Sequence, residues 1–259
     1  MILLTSFHEK ISKVRLNDMI ECLKINIRNE SIDKIIVFYQ SCYEHTENLP
    51  NEIKIFLENS KFNLNIITRH PDLSYMFSFA NTYFKNKICI YSNSDIYFPK
   101  WSNIEKINDI DMDDKFLVLT RWNKIDELSK KTRIQTMGEI IEIKGDRYMT
   151  QWKNGCSIDT WIFKSPLNIP IDKFNFKIGL YGIDGVTNYL LKKYTKVFNP
   201  CLEIFSIHKH TDYILNKYHK ITYNGKEFPK HIWVKKMILD KDTNLSNIPF
   251  CRLTDINNS

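Results

Sequence analysis

The sequence predicts an α/β protein built on a mostly parallel central sheet flanked by helices, and three observations carry that expectation. Short apolar runs of strand length recur at residues 2–5, 35–38, 64–67, 88–91 and 116–119. Segments with helical spacing separate them, as parallel strands require, because a crossover must return the chain to the starting end of the sheet. With 43% hydrophobic residues and only 7 glycines and 8 prolines among 259 residues, the composition belongs to folded globular chains.

Taken in order, the run Ile2, Leu3, Leu4, Thr5 reads as the first strand. Leu16, Met19, Ile20, Leu23 and Ile27 then repeat at three and four residues and cover one face of an amphipathic helix. A second helix is expected over 74–84, delivering the chain into the run at 88–91. Residues 124–153 are polar and irregular, with a hairpin expected around Gly145-Asp146, and are read as loops over a site. A strand is expected over 159–163, a helix over 184–193 and a strand over 202–207. No internal repeat is visible.

The net charge of +7 is concentrated at one end. From Lys217 to Lys241 there are seven lysines against Glu227 and Asp240, which leaves about two net charges for the rest of the chain. The expected organisation is a catalytic domain at 1–215 and a basic C-terminal extension at 216–259, packed on the domain or peripheral. The apolar start MILL is too short for a signal-peptide core, and no apolar run approaches the roughly 20 residues that span a bilayer, so a cytoplasmic location is expected. Cys22, Cys42, Cys89, Cys156, Cys201 and Cys251 lie far apart without a CxxC pair and read as free thiols. Cys156 has no histidine motif that would mark a nucleophile.

Parallel sheets bind ligands beyond the carboxyl ends of their strands, where loops converge and helix N-termini point. Asn93-Ser94-Asp95 stands at that end of the fourth apolar run. A carboxylate there can hold a divalent cation that neutralises a diphosphate leaving group, although an Asx turn ending the strand explains the same three residues. His208 and His210 are two apart, so on a strand both project to one face as candidate metal ligands. Arg69, after the third run, offers a planar fork of donors for a diphosphate. Asp184, between two glycines at a predicted helix start, is a candidate general base or simply an N-cap, with Asp159 as the rival base.

The ordered segments Tyr91-Ser92-Asn93-Ser94-Asp95-Ile96-Tyr97-Phe98, Leu119-Thr120-Arg121-Trp122 and Asp159-Thr160-Trp161-Ile162-Phe163-Lys164 resemble one glycosyltransferase family. Gly182-Ile183-Asp184-Gly185 with Asn188, Asn199-Pro200 and Ile207-His208-Lys209-His210 extend the likeness, which covers about residues 1–218. The family is similar to GT-A-type glycosyltransferases of bacteria and large DNA viruses, whose DxD-type motif binds a cation and a nucleotide. The resemblance implies a GT-A fold (nucleotide-diphospho-sugar transferase), a nucleotide-diphosphate sugar as donor, and Mn2+ or Mg2+ held by Asp95 with His208 or His210. The acceptor would be a glycan, a lipid-linked glycan or a protein. Asn93 replaces the first acid of the motif and brings no charge. Thr5, Ser6, Arg69, Asn93, Ser94, Asp95, Arg121 and Trp122 are expected at the nucleotide-sugar pocket, Thr5 and Ser6 beside the base and Arg121 with Trp122 shaping the sugar pocket.

Two other readings attach to the tail. Its lysines interleave with Tyr218, Tyr223, Phe228 and Trp233, a composition that also suits a noncatalytic nucleic-acid binder. Trp233 with Ile232, Val234, Met237 and Ile238 beside lysines also suits peripheral contact with anionic lipid. The concentration of charge at one end argues against nucleic acid as the partner.

Overall fold

Continuous apolar runs along the strands call for a sheet covered on both faces, and the computed structural model contains a seven-stranded one. It describes residues 1–8, 12–41, 49–125, 138–150, 155–176, 182–209, 220–223, 226–229 and 246–258. The strands are β1 (Ile2–His8), β2 (Lys34–Gln40), β3 (Phe62–Ile67), β4 (Ile88–Ser92), β6 (Lys115–Thr120), β10 (Ile158–Lys164) and β11 (Lys196–Phe198). Their order is β11-β6-β10-β4-β1-β2-β3, and only β10 runs antiparallel to its neighbours.

Successive side chains on a strand point to opposite faces, and the core divides accordingly. Leu3, Phe7, Val37, Ile90, Leu117 and Ile162 face helix α1 (Lys13–Arg28) through Met19, Ile20 and Leu23. Leu4, Phe38, Tyr91, Phe116, Trp161 and Phe163 face the other way, onto α3 (Leu73–Tyr83) and α4 (Ile183–Tyr194). The short α2 (Asn51–Lys54) precedes β3. Side-chain caps start two of the helices: Ser12 accepts from the Arg15 N–H, and Asp72 from the Tyr75 N–H at 2.8 Å.

A second, smaller sheet has the order β5-β12-β7-β9-β8, from β5 (Ile96–Tyr97), β7 (Trp122–Lys124), β8 (Ile140–Ile143), β9 (Asp146–Thr150) and β12 (Ile207–His208). The expected hairpin is there: β8 and β9 meet through Lys144 and Gly145, both at positive φ, 53° and 81°. The strand expected over 202–207 is shorter than the sequence suggested. Asn199-Pro200 starts a turn in which the Glu203 and Ile204 N–H groups both donate to the Pro200 carbonyl, so only Ile207–His208 is extended enough to pair.

Residues 246–258 pack on the main domain. The Ser246 N–H donates to the Gly185 carbonyl, Ile248 to Gly155 and Cys251 to Asn199, while Ile248 and Ile256 are buried. Between these ends, β13 (Lys220–Tyr223) and β14 (Lys226–Pro229) pair as an antiparallel hairpin. Trp233 and the apolar residues around it, on which the membrane expectation rests, lie outside the described residues. No helix among the described residues is long and apolar enough to cross a membrane. Cys22, Cys89, Cys156, Cys201 and Cys251 are free thiols, as expected.

Candidate active site

Register brings the site together. The β4 strand ends at Ser92, and the chain turns through Asn93-Ser94, with the Ile96 N–H donating to the Asn93 carbonyl at 3.1 Å. Two buried asparagines, Asn26 of α1 and Asn29 at its C-cap, hold the segment after this turn: Asn26 bonds the Ile96 carbonyl (3.0 Å) and the Phe98 N–H (2.8 Å), and Asn29 the Phe98 carbonyl (2.8 Å). β12 lies between β5 and β7, with His208 opposite Ile96 on one side and Asn123 on the other. Asp95, His208 and Asn123, far apart in sequence, therefore become neighbours.

Asp95 is buried, and its Oδ2 accepts from the Arg15 guanidinium and from His208 Nε2 at 2.9 Å. Its Oδ1 has no hydrogen-bond partner among the described residues. Burial by itself would raise the Asp95 pKa, but the contact with His208 and the charges of Arg15 and Arg121 outweigh it and hold the carboxyl well below the usual range. Burial, and then Arg121, push His208 below its ordinary value. A neutral His208 still donates Nε2–H to Asp95, and Arg15 supplies the opposing charge, so the carboxylate stays ionised. In that tautomer Nδ1 is an acceptor and calls for a donor on Asn123, 3.0 Å away. The Asn123 amide nitrogen has no other partner among the described residues and fills that role when turned toward the ring.

These directions fix a pH dependence. His208 has a folded pKa below its unfolded value of about 6.5, so its contribution to stability is present above that value and is lost as pH falls through the folded pKa. Melting temperatures should decline from pH 7 toward pH 5, by at most ~1.4 kcal/mol of stability per pH unit from this one proton. His208→Gln, which does not titrate, should show a flatter decline in the same melts; equal slopes would mean that His208 is not held neutral.

A second carboxylate sits beside the first. Asp159 occupies a register irregularity of β10 between Ile158 and Thr160. Its Oδ1 accepts from Asn93 Nδ2 at 2.7 Å, its Oδ2 from Arg121 at 2.6 Å, and its carbonyl from the Asn93 N–H at 3.1 Å. Burial pushes the Asp159 carboxyl up, and Arg121 pulls it back without cancelling the shift. Asp184, at the start of α4, is only partly buried, and one oxygen accepts a long contact from the Ile158 N–H at 3.3 Å. Gly182, at φ 82°, caps that helix without a side-chain bond. Asp184 is therefore not the N-cap.

The other expected residues divide. Thr5, Ser92 and Ser94 line one small crevice, and the Thr5 and Ser92 hydroxyls are buried without hydrogen-bond partners among the described residues. Ser6 follows on β1, opposite Phe38 of β2. Trp122 is fully buried, donates its indole N–H to the Cys201 carbonyl at 2.8 Å and packs on Phe205, so it braces β7 from behind instead of lining a pocket. Arg69 is exposed beyond β3 at the sheet edge, three strands from β4 or roughly 14 Å at normal strand spacing. His210 lies outside the described residues. Arg15 and Asn123 escaped the sequence reading. The one signal for Arg15 was its place in the first turn of the helix after β1, where parallel sheets bind ligands.

The cation that the resemblance implies can be tested against these donors. Asp95 and His208 are a carboxylate and an imidazole, but His208 Nε2 is bonded to Asp95 Oδ2, which Arg15 also holds, so Oδ1 alone of these atoms has no partner among the described residues. No group of three or more His, Cys, Asp or Glu among the described residues could hold an ion. Among the described residues the set does not fit a divalent cation, because the Arg15 guanidinium already balances the one carboxylate of the turn.

No protein-family model matches the chain, and neither does any curated protein. Among solved structures it is similar to S. aureus TarS 1–349 in complex with UDP-GlcNAc, at 9% identity over 85% of this chain and 62% of that one, with a TM-score of 0.49. HddC from Yersinia pseudotuberculosis gives 15% identity over 80% and 92%, with a TM-score of 0.40. The inositol-1-phosphate CTP transferase from T. maritima gives 12% over 83% and 91%, with a TM-score of 0.42. The chain thus spans about three fifths of the TarS fragment.

Proposed function

We propose that this chain is a glycosyltransferase of the GT-A type, using a nucleotide-diphosphate sugar as donor and a glycan, a lipid-linked glycan or a protein as acceptor. One observation carries the reading. The segments that bear the family resemblance, around Asn93–Asp95, Arg121, Asp159, Asp184 and His208, converge beyond the ends of β4 and β6, where an α/β sheet binds its ligand.

In an inverting transfer the acceptor oxygen forms a bond to the anomeric carbon as the bond from that carbon to the diphosphate oxygen breaks. The bonding pair leaves with the nucleoside diphosphate, and the acceptor proton passes to a carboxylate. Asp184 suits that role better than Asp159: it is partly exposed and lightly bonded, whereas both Asp159 oxygens are engaged by Asn93 and Arg121. Asp159 instead positions Asn93 and Arg121, and Arg121 adds positive charge beside the leaving diphosphate.

A thermal-shift screen with UDP-, GDP- and dTDP-sugars tests the reading, and a panel in which no nucleotide sugar raises the melting temperature would refute it. Once a donor is found, Asp184→Asn should leave donor binding within about twofold while lowering transfer to an acceptor by about 100-fold or more, the scale of general-base catalysis. Transfer at the wild-type rate would remove Asp184 from the mechanism.

A further inference from the structure

Three features converge on Arg15. It lies in the first turn of α1, whose 16-residue helix directs a partial positive charge toward the carboxyl end of β1 and has no acidic residue in that turn. Its guanidinium pairs with Asp95 while its side chain remains 32% exposed, so it spans from the buried carboxylate to solvent. Asp95 is 4% exposed, and its Oδ1 is buried without a hydrogen-bond partner among the described residues.

The charge balance gives these features their meaning. Asn93 stands where a second acid would add negative charge, so Asp95 is the only carboxylate of the turn, and Arg15 already compensates it. A dication on Asp95 would lie against a fixed positive charge. An anion would find a planar guanidinium suited to phosphate oxygens.

On the reading proposed above, we infer that Arg15 is the resident cation of this site. The nucleoside diphosphate binds without a metal, its phosphate oxygens on the Arg15 guanidinium, while Asp95 Oδ1 accepts a hydroxyl of the ribose or the sugar. Arg15 thus does for the diphosphate what a divalent ion does elsewhere, and Asp95 orients it.

Calorimetric titration of the full chain with UDP, GDP and dTDP, in EDTA and again with Mn2+, tests the inference. Electron paramagnetic resonance in parallel reads how much Mn2+ the protein holds. At least one diphosphate should bind in EDTA, with an affinity that Mn2+ changes by less than about twofold, and the wild type should hold no Mn2+ that Asp95→Asn releases. Arg15→Gln should weaken binding in EDTA by about tenfold or more, the scale of one charge-assisted hydrogen bond. Binding that requires Mn2+, with an Mn2+ signal lost in Asp95→Asn, overturns the role of Arg15 and leaves the glycosyltransferase reading standing. No binding of any diphosphate, with or without metal, overturns that reading itself. The wild-type comparison in EDTA needs no variant, so it decides whether the diphosphate needs a metal even if Arg15→Gln does not fold.

Discussion

Asp95→Ala is expected to lower stability by about 3 kcal/mol, near the lower end of the cost of breaking a buried ion pair. For a chain of this size that is roughly 6–12 °C in melting temperature. Three groups depend on the residue. Its Oδ2 accepts from Arg15 and from His208 Nε2, and its carbonyl accepts the Lys209 N–H at 2.8 Å. Truncation keeps the backbone bond, leaves the buried imidazole without its acceptor, and frees Arg15 from its counter-charge. The Arg15 side chain already reaches solvent, which keeps the loss from rising further. Asp95→Asn preserves the shape and one acceptor oxygen for Arg15 and His208 but loses the charge and turns the other oxygen into a donor, so it should fall between wild type and alanine. Urea or thermal unfolding of both variants checks the order; a shift below about 1 °C for alanine would show that Asp95 is not the centre of the cluster.

Gly155→Ala is expected to cost at least ~2 kcal/mol, from a strained backbone and from overpacking. At φ +71° the residue sits where L side chains strain, and a Cβ there would lie 1.7 Å from the Ile248 carbonyl oxygen. Backbone cannot yield as a flexible side chain can, so the C-terminal segment would have to move. That movement would disturb Asn199, whose amide donates to the Ile248 carbonyl (2.9 Å) and the Thr120 hydroxyl (3.0 Å) and whose oxygen accepts the Thr120 N–H (3.3 Å). Gly145→Ala is the matched control: its φ is +81°, but nothing lies within 4 Å of the added carbon. Only the conformational cost of about 1 kcal/mol should remain there. Melting curves of the two variants should differ by several degrees, and equal curves would mean that the C-terminal segment does not rest on Gly155.

The layered sheet was legible because a strand covered on both faces leaves a short continuous apolar run and a helix leaves a period-3.6 stripe. The run at 35–38 became β2, the Leu16–Ile27 spacing became α1, and Gly145 marked its hairpin. The expected strand at 202–207 failed because periodicity could not weigh the turn begun at Pro200 against the apolar residues after it. Trp122 was expected at the pocket from the family likeness, and a motif match says nothing about which side of a strand is covered. In the tertiary structure Phe205 and the Cys201 carbonyl bury it.

By itself, the sequence determined the alternation of elements, and with the family likeness it offered the end of the sheet where a ligand is expected and Asn93, Asp95, Asp159, Asp184 and His208 as candidates, since these come from local spacing and motif order. Only the tertiary structure decided their partners. Arg15 on Asp95, Asn123 on His208, and Arg121 with Asn93 on Asp159 are pairings across 38 to 85 residues. They arise because strand register and the packing of α1 set which side chains meet, and no local pattern in a chain encodes the distance between two of its remote parts.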